Sequence, residues 1–289
     1  MTGATGAARE LVIDAHHHLW DPARADYPWL TGALAPIRRR FGPDDLAPQL
    51  VTAGVDRTIL VQTRSSLAET REFLATAAAS PFIAGVIGWV DLTDPGVGGT
   101  LAELQAGPAG DLLVGIRHQV HDEPDPDWLL RADVRRGLAA VADAGLAYDL
   151  LVRPRELPAA LAVARASPEA RFVLDHLAKP PIASGELEPW AGLLVEFGPL
   201  EHVAVKVSGL VTEADWTSWT VDDLKPYVYA ALRSFGSDRL VFGSDWPVCL
   251  LAASYEQVVA ATRVLTAELT AAEQSAIFGA TAARIYALG

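Results

Sequence analysis

Eight short apolar runs, each followed by a loop and a helix-forming stretch, constrain the fold of this chain more than any other feature of its sequence. The runs are rich in Val, Ile and Leu and almost continuously apolar, which is typical of parallel strands buried on both faces. They cover residues 11–16, 57–62, 82–90, 112–117, 146–152, 171–176, 202–207 and 239–244. Eight strands alternating with helices over 289 residues predict an α/β fold, a (β/α)₈ TIM barrel that forms one domain over residues 1–289.

The stretches between these runs predict the outer helices. We expect two short helices within residues 271–288 and longer helices over residues 68–79, 128–144, 156–166, 187–197, 221–235 and 255–268. An open, doubly wound sheet is the alternative, but that fold usually carries a Gly-rich turn after its first strand. Here the first strand runs into three consecutive histidines instead, which favours the closed barrel.

The charge and cysteine content exclude several classes of protein. The 36 Asp and Glu residues outnumber the 23 Lys and Arg residues, and the net charge of −13 argues against nucleic acid or an anionic membrane as a partner. A small anionic substrate would still need only one local Arg or Lys. Cys249 is the only cysteine, so no intrachain disulfide can form. The first ten residues lack the features of a signal peptide, and no run approaches the roughly 20 apolar residues of a membrane span. We therefore expect a cytoplasmic protein.

The strongest sequence signal for chemistry is the D-A-H-H-H motif at the end of the first predicted strand. Residues two apart on a strand point to the same side, so His16 and His18 are predicted to converge at the carboxyl end of the barrel while His17 points away. Imidazole is the commonest metal ligand and titrates nearest neutral pH. The motif lies inside an apolar strand and not at the terminus, which argues against a remnant of an affinity tag.

Two further residues are predicted at the same end of the barrel. His176 ends the sixth apolar run and Asp245 directly follows the eighth. A buried carboxylate at this position can activate water, bind a metal or do both. Either residue alone would also suit a structural role, as a core histidine or a turn aspartate. By strand alternation, Asp175 is expected to face the opposite side from His176.

Five segments carry a resemblance to a known family: IDAHHHLWDPARADYPWL, GIRHQVHDEP, DHLAKPP, VKVSGL and FGSDWP, in this order along essentially the whole chain. Together they resemble the amidohydrolase superfamily, in its branch of sugar-lactone and dicarboxylate lactonases. The WDP and YPWL pieces favour the sugar-lactonase type, with the pyrone dicarboxylate type as the alternative. The resemblance implies a hydrolase that opens a small-molecule lactone. The sequence does not decide the oligomeric state, so a homo-oligomer stays open.

The resemblance also implies roles for individual residues. Asp245 would deprotonate the attacking water, and Arg117 would bind substrate oxygens. His16, His18 and His176 would either polarise the lactone carbonyl directly or hold one divalent metal together with Asp245, zinc being the expected ion. The resemblance leaves open whether the enzyme requires a metal. Further candidates for the substrate pocket are Trp20, Tyr27, Trp29, Gln62, His121, Lys179 and Trp246.

The sequence departs from the superfamily members that bind two metals. Those members place a Lys or Glu on the fourth strand and a His on the fifth. Here the fourth run ends in Gly115, Ile116 and Arg117, and the fifth run contains no His. Lys206 lies on the seventh strand and is no substitute. The prediction is therefore a mononuclear metal site at most.

Other functions are weaker interpretations of the same residues. A metal-dependent decarboxylase of the superfamily is one alternative, and the WDP and YPWL segments weigh against it. A non-catalytic binding protein is another, which the presence of all four candidate catalytic groups disfavours. Cys249 has no evident histidine partner in the sequence, and Ser208 lies in a predicted turn at a strand end. We therefore do not expect either residue to form an acyl-enzyme.

Overall fold

The predicted barrel is confirmed in the computed structural model, which describes residues 10–289. Eight parallel strands form one sheet in sequence order. They are β1 (Ile13–His17), β2 (Arg57–Val61), β3 (Ile83–Gly88), β4 (Leu113–His118), β5 (Ala147–Leu150), β6 (Arg171–Leu174), β7 (Val203–Val207) and β8 (Leu240–Phe242). The first nine residues lie outside the part of the chain that the structure describes. Most of the expectation about a signal peptide falls on these residues.

The barrel closes through residues that follow β8. His17 and Trp246 form a parallel bridge. The His18 amide donates to the Trp246 carbonyl at 2.6 Å, and the Asp245 amide donates to the His16 carbonyl at 2.8 Å. Closure of the barrel therefore places Asp245 directly beside the histidines of β1.

Helices cover the outside of the barrel. They are α1 (Pro43–Ala53), α2 (Leu67–Ala79), α3 (Val97–Ala106), α4 (Ala132–Asp143), α5 (Leu157–Ala166), α6 (Trp190–Val195), α7 (Leu210–Glu213), α8 (Val221–Phe235), α9 (Tyr255–Leu265), α10 (Ala271–Ser275) and α11 (Thr281–Ile285). None of the described helices is long and apolar enough to span a membrane.

The helix predictions differ from the structure where Gly or Pro interrupts the pattern. α1 contains Pro43 and Pro48, and α3 contains Gly98 and Gly99, so the sequence does not predict either helix. The helix predicted over residues 128–144 is a short 3₁₀ turn followed by α4, because Arg131 between them has an extended ψ of 140°. The two short helices predicted at the C-terminus are α10 and α11, joined by one π-helical turn.

The apolar core has two parts. The larger part fills the space between the sheet and the helices. A smaller cluster lies inside the barrel, where Ala147 of β5 and Ala204 of β7 pack with Ile285 and Tyr286 from the C-terminal segment. Small and branched side chains fill a barrel interior in this way. Above this cluster the interior becomes polar, and the candidate site begins there.

Gly137 of α4 is predicted to be essential for helix packing. A Cβ atom at Gly137 would lie 2.3 Å from the Leu92 carbonyl oxygen, whereas a Cβ at the exposed Gly99 of α3 would meet nothing within 4 Å. Gly137→Ala should lower the free energy of unfolding by about 1–3 kcal/mol. Gly99→Ala, the matched control, should raise it by up to about 1 kcal/mol because Ala favours the helix. Urea unfolding measures both, and equal effects of the two substitutions would contradict this account of the packing.

Candidate active site

A cavity of about 360 Å³ lies at the carboxyl ends of the strands, which is the functional end of barrels of this class. Loops after every strand except β3 contribute to it. The residues that line it are His18, Trp29, Leu34, Thr63, Arg117, Gln119, His121, Asp122, Leu151, Arg153, His176, Lys179, Thr212, Glu213, Trp216, Asp245, Val248 and Leu251.

Three imidazoles converge on one carboxylate at the base of this cavity. Asp245 Oδ1 lies 3.8 Å from His16 Nε2, 3.5 Å from His18 Nε2 and 3.9 Å from His176 Nε2. The Nε2 atoms of His16 and His18 are 3.2 Å apart. All four residues are buried. The structure thus brings together the four candidate catalytic residues, which are separated by up to 229 positions between His16 and Asp245.

The outer nitrogen of each imidazole is held by an acceptor. His18 Nδ1 lies 2.7 Å from the Val61 carbonyl, and His16 Nδ1 lies 3.3 Å from Asp175 Oδ1. His176 Nδ1 lies 2.9 Å from the Ser208 hydroxyl. With Nδ1 donating to these acceptors, each Nε2 presents a lone pair to the centre of the site.

This donor set fits a single divalent ion. Ligand atoms of His16, His176 and Asp245 lie within 4.8 Å of one another, and His18 Nε2 adjoins them. Acceptors on the outer nitrogens are typical of metal-binding histidines. Arg117 Nη1 donates to His16 Nε2 at 3.1 Å, so an ion bound by His16 would displace this hydrogen bond.

Asp245 is held in an unusual backbone conformation. Its φ of 57° lies in the left-handed region, which costs a non-glycine residue about 1–2 kcal/mol. The buried carboxylate of Asp14 stabilises this turn by accepting from the Ser244 amide at 2.8 Å and from the Tyr255 hydroxyl at 3.0 Å. Asp14 therefore supports the site although sequence reasoning gives it no role.

His176 lies in a left-handed turn beyond the end of β6. Residues 176–179 all have φ between 51° and 58°. The Trp190 indole donates to the Leu177 carbonyl at 2.6 Å and fixes the turn. The expectation that Asp175 faces the opposite side from His176 is wrong, because the left-handed turn that begins at His176 brings the His176 side chain back to the barrel interior. Asp175 follows Val173 of β6 into the barrel, where it accepts from Arg117 Nη1 at 2.9 Å.

Four buried charged residues, Arg117, Asp149, Asp175 and Lys206, form what we term the buried charge cluster. Lys206 Nζ contacts Asp149 Oδ2 and lies 3.0 Å from Asp175 Oδ1. It also lies 3.3 Å from His16 Nδ1. Two cations thus balance two carboxylates, and the Tyr286 hydroxyl donates to Asp149 from below at 2.9 Å. Sequence reasoning gives Lys206 no role, but the structure places it directly under His16.

Burial and neighbouring charges determine the protonation of the site. Burial holds the pKa of His16 well below its ordinary value and lowers the pKa of His176 to about 4. Burial alone would raise the pKa of Asp245, but the His176 and His18 side chains hold that pKa below its ordinary value. At neutral pH, Asp245 is therefore a carboxylate beside neutral imidazoles of His16 and His176.

The predicted pocket residues fall into two groups. Trp29, Arg117, His121 and Lys179 line the cavity. The others lie in the layer behind it. Gln62 accepts from Arg117 Nη2 at 2.9 Å. The rings of Trp20 and Tyr27 pack edge-on against Trp29, and Trp246 packs against Phe41.

Several lining residues are missed by sequence reasoning. Arg153 follows β5, and Glu213 and Trp216 follow the VSGL motif of β7. Their positions after strands could have marked them, although no motif distinguishes them from other loop residues. Ser208 and Cys249 are buried and do not line this cavity. The Ser208 hydroxyl lies 2.9 Å from His176 Nδ1 and orients that ring, and burial raises the pKa of the Cys249 thiol well above its ordinary value.

Removal of Lys206 tests the buried charge cluster. Lys206→Met leaves Asp149 and Asp175 opposite Arg117 alone, and an uncompensated buried charge should lower the free energy of unfolding by about 3–5 kcal/mol. Urea unfolding measures this loss.

The controls for that experiment show whether the loss of stability comes from the buried charge. Lys225→Met breaks an exposed ion pair with Asp222 and should leave the urea midpoint unchanged. The double variant Lys206→Met/Asp149→Asn should recover part of the loss, because one uncompensated charge is removed. Wild-type stability of Lys206→Met would contradict the proposed compensation.

Comparison with known proteins agrees with this architecture. Residues 13–288 match the model of the amidohydrolase family. The L-fucono-1,5-lactonase of Burkholderia multivorans is 42% identical over 289 residues, covering 96% of each chain. The L-fucono-1,5-lactonase of Burkholderia ambifaria is 42% identical over 243 residues, covering 84% of this chain and 82% of that protein. A crystal structure of an amidohydrolase from Burkholderia multivorans with bound zinc is 40% identical, with a TM-score of 0.91, and covers 96% of this chain and 100% of that one. This chain therefore belongs to the amidohydrolase family.

Proposed function

We propose that this protein is a lactonase that hydrolyses a small sugar lactone. The observation that carries the proposal is the ionised Asp245 carboxylate at the base of the cavity, surrounded by three imidazole Nε2 atoms within 4 Å. The 42% identity to two proteins named L-fucono-1,5-lactonase supports the same substrate class.

The reaction follows from the charges of the site. Asp245 accepts a proton from water as the water oxygen adds to the lactone carbonyl carbon. The positive charge of Arg117, which lines the cavity, is placed to stabilise the tetrahedral oxyanion. When the intermediate collapses, the bond between the carbonyl carbon and the ring oxygen breaks. Asp245 then returns the proton to the departing alkoxide, and the product is a hydroxy acid.

His16, His18, His176 and Asp245 would hold one divalent metal, for which we propose zinc. Such an ion, when bound, polarises a carbonyl and lowers the pKa of a coordinated water. Behind these ligands, Asp175, Val61 and Ser208 contact the Nδ1 atoms and orient the imidazoles.

The cavity walls suit a sugar ring. Trp29 and Trp216 line the cavity, and both indoles are fixed, since Trp29 Nε1 donates to the Thr63 carbonyl at 3.1 Å and Trp216 Nε1 to the Thr212 carbonyl at 2.9 Å. Rigid aromatic faces of this kind pack against the apolar faces of small ring-shaped ligands.

Asp245→Asn tests the proposed base. The variant keeps the shape of the side chain but cannot accept the proton, so kcat for aldonolactone hydrolysis should fall by roughly 10²–10⁴-fold. A pH-indicator assay over a panel of aldonolactones measures the rate, and circular dichroism checks the fold. Asp133→Asn on the outer helix α4 should hydrolyse at the wild-type rate. Near-normal turnover by Asp245→Asn would exclude this role.

Zinc titration tests the metal assignment separately from activity. After dialysis against a chelator, the wild type should bind one zinc ion per chain in calorimetry. His176→Asn removes a ligand and should weaken binding at least tenfold, whereas His121→Asn, which changes a cavity histidine outside the ligand set, should bind as the wild type does. Equal affinities for the wild type and His176→Asn would contradict the assignment, and so would the absence of binding.

A further inference from the structure

We propose that Glu213 restricts the cavity to uncharged lactones by pairing with Lys179 and Arg153. This inference rests on the proposed lactonase function and adds the charge class of the substrate. The residues that line the cavity include three cationic side chains, Arg117, Lys179 and Arg153. If these cations were free, they would favour a lactone that carries a carboxylate.

Each of these cations faces a carboxylate. Lys179 Nζ donates to Glu213 Oε1 at 2.7 Å, and Arg153 Nη1 lies 4.0 Å from Glu213 Oε2. Arg117 is paired with Asp175 inside the barrel. Glu213 therefore engages both cations at the rim with one side chain.

The Lys179–Glu213 pair is held by two strand-following loops. Lys179 ends the left-handed turn that also carries His176. Glu213 is the last residue of α7, directly after β7. The side chains of Lys179 and Glu213 are only 14% and 16% exposed, so water screens their attraction less than it screens a surface pair.

A lactone carboxylate would meet a cavity whose three lining cations are matched by three lining carboxylates, Asp122, Glu213 and Asp245. It would approach these carboxylates, and like charges at short range repel. A sugar hydroxyl both donates and accepts hydrogen bonds. It can accept from Lys179 and donate to Glu213 without breaking the pair, which favours uncharged, polyhydroxylated lactones.

Glu213→Gln tests this inference, because it keeps the size of the side chain and frees both cations. The probes are D-galactono-1,4-lactone and D-galactaro-1,4-lactone, which differ by a carboxylate in place of the terminal hydroxymethyl group. The wild type should prefer the uncharged lactone. In Glu213→Gln, the ratio of kcat/KM for the charged over the uncharged lactone should rise at least tenfold, mainly through KM.

Three further variants locate the effect. Glu196→Gln makes the same charge change in an exposed pair with Arg165 and should leave the ratio unchanged. Lys179→Met added to Glu213→Gln should reverse most of the gain. Glu213→Ser gives the same test if the Gln variant does not fold.

The outcomes separate the inference from the proposed function. If the wild type hydrolyses neither the charged nor the uncharged lactones, the proposed function fails whatever Glu213 does. If the wild type hydrolyses them but prefers the charged lactone, the inference is wrong. It is also wrong if the charge-removing variants of Glu213 keep the wild-type ratio.

Discussion

Mutual compensation of four buried charges underlies the geometry of the candidate active site. Arg117, Asp149, Asp175 and Lys206 come from four neighbouring strands, and none would be stable alone in the barrel interior, where an unpaired ion costs several kcal/mol. Together they balance one another and hold His16, with the Asp175 carboxylate beside Nδ1 and Arg117 donating to Nε2. Most TIM barrels fill this space with apolar layers. Here the upper layer is charged, and it fixes the central imidazole of the site.

Backbone strain is the second constraint on the site. Asp245 and His176 both lie in left-handed turns just beyond their strands, so neither side chain follows strand alternation. The surrounding contacts that hold these turns come from distant parts of the chain, among them Asp14 and Trp190. Strain that persists in this way is typical of functional sites. It directs both side chains toward the same point, although the two strands are not neighbours.

The sequence predicts the fold better than it predicts the site. Apolar runs identify all eight strands, because burial on both faces leaves a clear pattern, and the interval between His16 and His18 indicates their convergence. Pairings between distant positions leave no such pattern. Lys206 contacts Asp149, 57 positions away, and nothing local to either residue indicates this pair. The direction of the His176 side chain depends on a left-handed turn that strand alternation cannot describe, and Glu213 contacts Lys179 only because two loops meet in the folded chain.

The central step of the proposed reaction is the direct addition of water, activated by Asp245, to the lactone carbonyl. A single turnover with enzyme in excess over aldonolactone in H₂¹⁸O, analysed by mass spectrometry, tests it most directly. Direct addition places one ¹⁸O in the carboxylate of the first product molecule and leaves Asp245 unlabelled. An unlabelled first product, or ¹⁸O in the peptide that contains Asp245, would show that the carboxylate attacks the substrate itself and would contradict the claim.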